Sequence, residues 1–236
     1  MLNGGAQRYR DEIASLIGWW AEAGVTSFAD ENRRDWLAPP APKVAPSQAP
    51  PAAAPPADLA AFRAMLASNA YLPGAPPPQR RVAAEGEAGA RLMIVTDMPD
   101  EADLRARRLL SAESALFDAM LAAMGLTRAS VYLAPLSPGR ITGGRIGAAA
   151  DGLAALMRAH IGLARPSALL LFGEETCRAL MGVERAEACA TLRSVNYDGG
   201  TVAAIATIHP RILVRRPACK ADAWAAMRQI LGVLAQ

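Results

Sequence analysis

The sequence predicts an α/β fold: a three-layer α/β/α sandwich on a four-stranded, mainly parallel sheet, preceded by an N-terminal helix and a Pro/Ala linker. Three observations predict it. Between residues 91 and 208 the chain repeats short apolar runs, RLMIVT, SVYLAPL, SALLLFG and TVAAIATI, with no polar–apolar alternation. Strands that read this way are buried on both faces, as in parallel sheets. The intervals between them carry helical periodicity, and such alternation covers a sheet with helices on both faces. Glycine or proline marks most changes from one element to the next.

Composition sets the limits. The chain has 236 residues, 52% apolar and 20% charged, enough for one domain with a real core plus extensions. Net charge is +3, and only Lys43 and Lys220 among the 25 basic residues are lysine. This arginine bias, with the abundant alanine, reflects GC-rich coding rather than selection for phosphate. Distribution is more telling: residues 202–236 hold five basic residues against one acidic, whereas residues 1–38 hold four basic and six acidic. A local basic patch meets phosphates even when total charge is modest. The three cysteines, Cys177, Cys189 and Cys219, contain no C-x-x-C pair. That excludes a zinc ribbon or a four-cysteine cluster built from one chain, and the odd count fits buried thiols in a reducing compartment. Arg8, Arg10, Asp11 and Glu12 interrupt the first apolar stretch, so it is not a signal peptide. No apolar run approaches the roughly 20 residues of a membrane span. The expectation is a cytoplasmic monomer with no membrane contact.

The elements follow in order. Residues 7–23 place Ile13, Leu16, Ile17 and Trp20 at helical spacing, and Gly24 can close the helix. The extension over 1–37 is thus a docking helix or a partner-binding one. Residues 38–58 hold eight prolines among alanines, an extended linker unable to bury a core. The folded domain spans 59–236. It opens with a helix over 59–67 and a loop over 73–89. The first strand is RLMIVT, 91–96. Residues 101–126 are helical with a break near Ser111, where Ser111 or Ser114 can cap. The second strand is SVYLAPL, 130–136, followed by a helix over 147–163. The third is SALLLFG, 167–173, followed by a short helix, EETCRALMG, closed by Gly182. TVAAIATI, 201–208, is the fourth. The last helix covers 217–235, with Pro217 in its first turn, where a missing N–H costs nothing.

In such sheets ligands bind at the carboxyl ends of the strands. Those ends are Thr96-Asp97-Met98-Pro99, Ala134-Pro135-Leu136-Ser137, Gly173-Glu174 and Thr207-Ile208-His209-Pro210. His209 reads either as a catalytic group or as a hydrogen-bonded cap. Arg211, Arg215 and Arg216 precede a helix start and form either an anion site or a solvated basic face. Asp97 is a general base, or the cap of the turn at Met98-Pro99-Asp100. The acidic group Asp97, Asp100, Glu101 and Asp103 would suit Mg²⁺ only with a second carboxylate group from another strand end, which makes it a weak metal signal. GRITGGRIG, 139–147, fits neither a P-loop nor G-x-G-x-x-G placement and reads as a mobile surface loop.

These residues, in this order, resemble the uracil-DNA glycosylase superfamily, closest to its family 4 branch, over about 91–234. The most specific piece is TIHPRILVRRPACKADAW. Its Thr207, His209, Pro210, Leu213, Val214, Arg215, Pro217, Lys220 and Trp224 keep the spacing T-[YFW]-H-P-x-x-L-L-R-x-P-x-x-K-x-x-x-W, with Ile208 at the aromatic position. ALFDAMLAAMGLTRASVYLAPL and RPSALLLFGEETCRALMG are similar to two further family segments. The resemblance implies a DNA-repair protein excising or recognising a flipped damaged base, or a catalytically inactive descendant that binds DNA or a repair or replication protein. It gives catalytic roles to His209 and Asp97. It puts Thr96, Met98, Pro99, Leu109 and Pro135 around the base. Arg211, Ile212 and Leu213 become the wedge into the base stack, and Arg215, Arg216 and Lys220 the phosphate contacts. DNA is the expected partner, with the N-terminal helix open to a protein partner.

Four features depart from the family. Its G-E-A-P-G reads Thr96-Asp97-Met98-Pro99-Asp100, without either glycine. The aromatic residue of its P-F-V-G is Leu109, and its base-reading Asn is Pro135, which has no N–H. Gly139 stands where a cluster cysteine would, and no cysteine precedes Cys177. Neither an iron–sulfur cluster nor any other metal or cofactor is therefore expected.

Overall fold

The structure is a computed structural model. It describes residues 56–235 apart from 69, 142–145 and 190, together with Ile13, Ala14, Ser15, Trp19 and Glu22. The chain divides into two compact units, Met1–Pro51 and Ala52–Gln236. The expected N-terminal helix and linker lie outside the described residues, save those five, which are helical, and the end of the linker.

The second unit is an α/β fold on a five-stranded mixed sheet, which corrects the four-stranded expectation. Its strands are β1 (Leu92–Thr96), β2 (Val131–Pro135), β3 (Ala168–Phe172), β4 (Arg193–Tyr197) and β5 (Gly200–Thr207), in the order β2-β1-β3-β5-β4. The β2–β1, β1–β3 and β3–β5 pairs are parallel; β4 runs antiparallel to β5. β4 is the strand the apolar runs do not reveal. Its sequence RSVNY is polar, it lies at an edge, and only Val195 is buried. Its turn, Asp198-Gly199, joins Tyr197 to Gly200, and Asp-Gly is a strong hairpin signal.

Alternate residues of the central strands enter two cores. Leu92, Ile94, Leu170, Phe172 and Ile205 pack beneath α3 (Ser114–Ala123) and α8 (Lys220–Leu234). Met93, Val95, Leu169, Leu171 and Ala206 pack beneath α4 (Ala150–Ala164) and α5 (Glu174–Met181), which the four-residue α6 (Arg185–Ala188) follows. All five residues of β1, β2 and β3 are buried, which is why these strands read as unbroken apolar runs.

The region over 101–126 splits into α2 (Glu101–Ala106) and α3. Arg107 and Leu110, at φ 54 and 53°, turn the chain between them. Ser111 does not cap α3; its N–H and hydroxyl both donate to Asp103 Oδ1 at 2.8 Å.

The exposed edge of β2 is covered. Glu85 and Leu133 exchange two main-chain hydrogen bonds of 2.8 Å, and the Val82 N–H donates to the Pro138 carbonyl at 2.7 Å. Covering an edge removes a template for unwanted pairing. Gly86 makes the close approach possible: a Cβ there would lie 2.3 Å from the Val131 carbonyl oxygen. The helix α1 (Leu59–Ala67) is capped by Asp58 and lies beside α4. Its Phe62 ring meets His160 with centroids 4.8 Å apart. Arg63 Nε donates to the Tyr132 hydroxyl at 3.0 Å, and that oxygen lies 2.7 Å from His160 Nε2. Burial first, and then Arg63, lower the His160 pKa to about 4.

Candidate active site at the carboxyl ends of the sheet

β1 and β5 flank β3 and end level with it, so residues just beyond Thr96 and Thr207 meet above Gly173. A Cβ on Gly173, at φ +100°, would sit 4.0 Å from Asp97 Oδ2. His209 leaves β5 as the N-cap of a short helix, α7 (Pro210–Arg215), with Pro210 in the first turn. Its ring is held on three sides. Nδ1 accepts the Arg211 N–H at 3.1 Å, Nε2 lies 2.9 Å from Thr96 Oγ1, and the Phe172 ring stands edge-on with centroids 6.0 Å apart.

The tautomer follows from these contacts. Nδ1 accepts, so the neutral ring carries its proton on Nε2 and donates to the Thr96 hydroxyl. Thr96 in turn donates toward Asp97 Oδ1 at 3.4 Å. The same oxygen accepts the Met98 N–H at 2.8 Å and lies 3.7 Å from His209 Nε2. The ring is neutral at pH 7: burial above all lowers its pKa to about 4, Arg211 assists, and Asp97, Asp103 and Asp100 oppose. The His209 side chain is 6% exposed and that of Asp97 is 22% exposed, so solvent reaches the carboxylate and hardly reaches the imidazole.

Other expected site residues are distributed differently. Thr96, Met98, Pro99 and Pro135 are buried at the rim, and Thr96 pairs with Pro135 across the β1–β2 register. Two further bonds close that junction: Leu136 N–H to the Thr96 carbonyl at 2.7 Å and Ser137 N–H to the Asp97 carbonyl at 2.9 Å. Leu109 is fully buried in the α3/α8 core. Its N–H donates to Glu85 Oε1, and Arg128 holds the carbonyls of Leu109 and Leu110. The residues expected as a wedge lie on α7, where Leu213 is 1% exposed and belongs to the core. Ile212 and Val214 are 40% and 58% exposed. Arg215, Arg216 and Lys220 are exposed, and with Arg211 they have no carboxylate partner among the described residues.

Two of the four acidic residues, Asp100 and Asp103, are committed to local caps. Asp100 and Asp103 form a reciprocal capping box at the start of α2, with bonds of 2.9 and 3.2 Å. Among the described residues no group of three His, Cys, Asp or Glu is arranged to hold a metal. The cysteines do not fit an iron–sulfur cluster. Cys177 lies on the buried face of α5, its thiol donating to the Val183 carbonyl and pushed by burial up to about 11. Cys219 packs against the opposite face of the sheet. At Gly139 a side chain has no room, since a Cβ would lie 2.4 Å from the Pro76 ring. The loop beside it is gathered by Arg81, which donates to the carbonyls of Pro76, Leu66, Ser68 and Ala70.

Two residues, Phe172 and Glu113, join the site that strand-end reasoning does not single out. Phe172 is core by its apolar run, yet it is also the last residue before Gly173 at the rim. Glu113 Oε2, like Thr207 Oγ1 at the end of β5, is buried without a hydrogen-bond partner among the described residues. Burial pushes the Glu113 carboxyl above its usual range, Asp100 adding to this and Arg211 opposing it.

No curated protein sequence matches the chain significantly. A family model does, over residues 83–228, which takes in β1 through most of α8 and both Asp97 and His209. With the strand ends and the His-Pro turn converging on one rim, that match is decisive: the chain belongs to the uracil DNA glycosylase superfamily.

Proposed function

We propose that this protein is a DNA-repair glycosylase nearest the family 4 branch, taking an extruded base of DNA against the Thr96–Asp97–His209 rim and hydrolysing its N-glycosidic bond. One observation carries the reading. A neutral imidazole and a carboxylate from two strands stand 3.7 Å apart, beside a helix presenting two exposed apolar side chains and exposed cations. Ile212 and Val214 enter the base stack, offsetting part of the unstacking cost, while Arg215, Arg216 and Lys220 meet phosphates. Asp97 Oδ2 orients a water molecule. The water oxygen bonds to the sugar C1′, the C1′–N bond breaks with its electron pair leaving on the base, and the water proton passes to Asp97. His209 Nε2–H donates to an oxygen of the departing base, which requires Thr96 Oγ1 to swing aside. A neutral donor held by the Arg211 N–H is already oriented for this task.

A second reading, a descendant that binds the extruded base without cutting, is favoured by a specific observation. Nε2 is already bonded to Thr96, and Pro135 offers no N–H to a base. An excision assay on single-stranded and duplex uracil DNA separates the two. Base release by wild type that is lost in His209→Ala and Asp97→Asn supports hydrolysis; salt-dependent binding without release supports the second reading. No DNA binding at low salt refutes both. The proposal includes action as a cytoplasmic monomer, the expectation drawn from the sequence.

A further inference from the structure

A second concave feature lies apart from the rim. Between α1, the segment 78–84 and the end of β2 is a cavity of about 180 Å³. Arg63, Arg81 and Arg107 line it, and no Asp or Glu among the described residues does. Arg81 is 8% exposed. Its four carbonyl partners satisfy N–H groups without neutralising the charge, and burial pushes its pKa below the ordinary value. Arg63 donates to the Tyr132 hydroxyl and the Gly86 carbonyl; among the described residues Arg107 donates only to the Arg81 carbonyl. Both therefore keep N–H groups for a ligand. None of the three guanidiniums pairs with a carboxylate among the described residues. Three like charges around one cavity repel, and a buried cation without a counter-charge is unfavourable. A bound anion removes both penalties.

The position suggests which anion. Pro135 forms part of the cavity wall and pairs with Thr96. Adjacent strands lie roughly 5 Å apart, so cavity and rim are one strand's width from each other. The α7 cations follow β5, and the cavity lies at β2. β1 and β3, with the rim, stand between them. A nucleic-acid strand laid across the rim would meet cations on both sides of the extruded nucleotide. Guanidinium forks match phosphate oxygens. We propose that this cavity is a phosphate site whose ligand is a backbone phosphate of the DNA strand bound at the rim; the DNA part rests on the function proposed above.

Fluorescence anisotropy with a uracil-containing single strand tests it. Two variants spare the structural arginines: Ala83→Glu, which puts a carboxylate on the cavity's exposed lip, and Arg107→Gln, at an exposed side chain. A paired variant, Arg215→Gln with Arg216→Gln, reports on α7, and circular-dichroism melting checks the fold of each. Loss of one phosphate contact should weaken binding about fivefold at 0.1 M salt and flatten the log K against log salt slope by about 0.7. If the α7 variant weakens binding while Ala83→Glu and Arg107→Gln keep wild-type affinity and slope, the cavity assignment is wrong and the proposed function stands. If the wild type binds no DNA, both fall. If inorganic phosphate raises the wild-type melting temperature but the cavity variants bind DNA normally, the ligand is free phosphate and the DNA assignment is overturned.

Discussion

Acidification should destabilise this domain through its two buried histidines. In the unfolded chain each titrates near 6.5; in the folded domain His160 and His209 titrate at about 4, both held neutral chiefly by burial. The folded state thus binds fewer protons between these values, and stability falls as pH drops through that window. With those two pKa values, linkage gives a loss of about 2 kcal/mol per histidine by pH 5 and about 3 kcal/mol by pH 4. Glu113, whose carboxyl is raised by burial, acts the other way, so the difference between proteins isolates each histidine. Urea unfolding of wild type, His160→Gln and His209→Gln between pH 7 and pH 5 measures it. Each variant should lose about 2 kcal/mol less than wild type over that interval, with unchanged m-values. If both variants lose as much stability as wild type, the histidines are not buried neutral as described.

Thr96→Val removes the acceptor of the buried Nε2–H and should cost about 1–3 kcal/mol in urea unfolding; Thr96→Ser should restore most of it. Arg81→Met strands four carbonyls and should destabilise by about 1–3 kcal/mol, with lost hydrogen-exchange protection confined first to the loop over residues 70–76. Gly86→Ala should fail to fold stably, because its Cβ meets the Val131 carbonyl at a backbone conformation with φ +106°; soluble expression and a thermal melt decide it.

How much of this was legible in sequence depended on what each residue's environment made visible. β1, β2 and β3 were readable because both faces are buried, so no polar residue interrupts the pattern. β4 was not, since its half-exposed RSVNY resembles a loop; only Asp198-Gly199 pointed to a hairpin. The rim was legible because the switch-point rule needs only the order of elements, and it brought Asp97 and His209 to the same end of the sheet. The fate of individual side chains was not. Leu213 and Ile212 are neighbours of equal hydrophobicity, and only the pitch of α7 turns the first inward and the second outward. His209 was readable both as a catalyst and as a cap, and its geometry fits both: Nδ1 caps α7 while Nε2 faces Thr96. Arg81 looked like any loop arginine because its partners are carbonyls, which no sequence pattern displays.

The most direct test of base capture at the rim is 2-aminopurine fluorescence. A duplex with 2-aminopurine beside a single uracil is titrated with the Asp97→Asn protein, which the proposed mechanism leaves unable to cut. Capture at the Thr96–Asp97–His209 rim predicts a rise in emission on binding, as the neighbouring stack opens, and its loss when Ile212 and Val214 are both changed to Ala. Tight binding with no change in emission would contradict it.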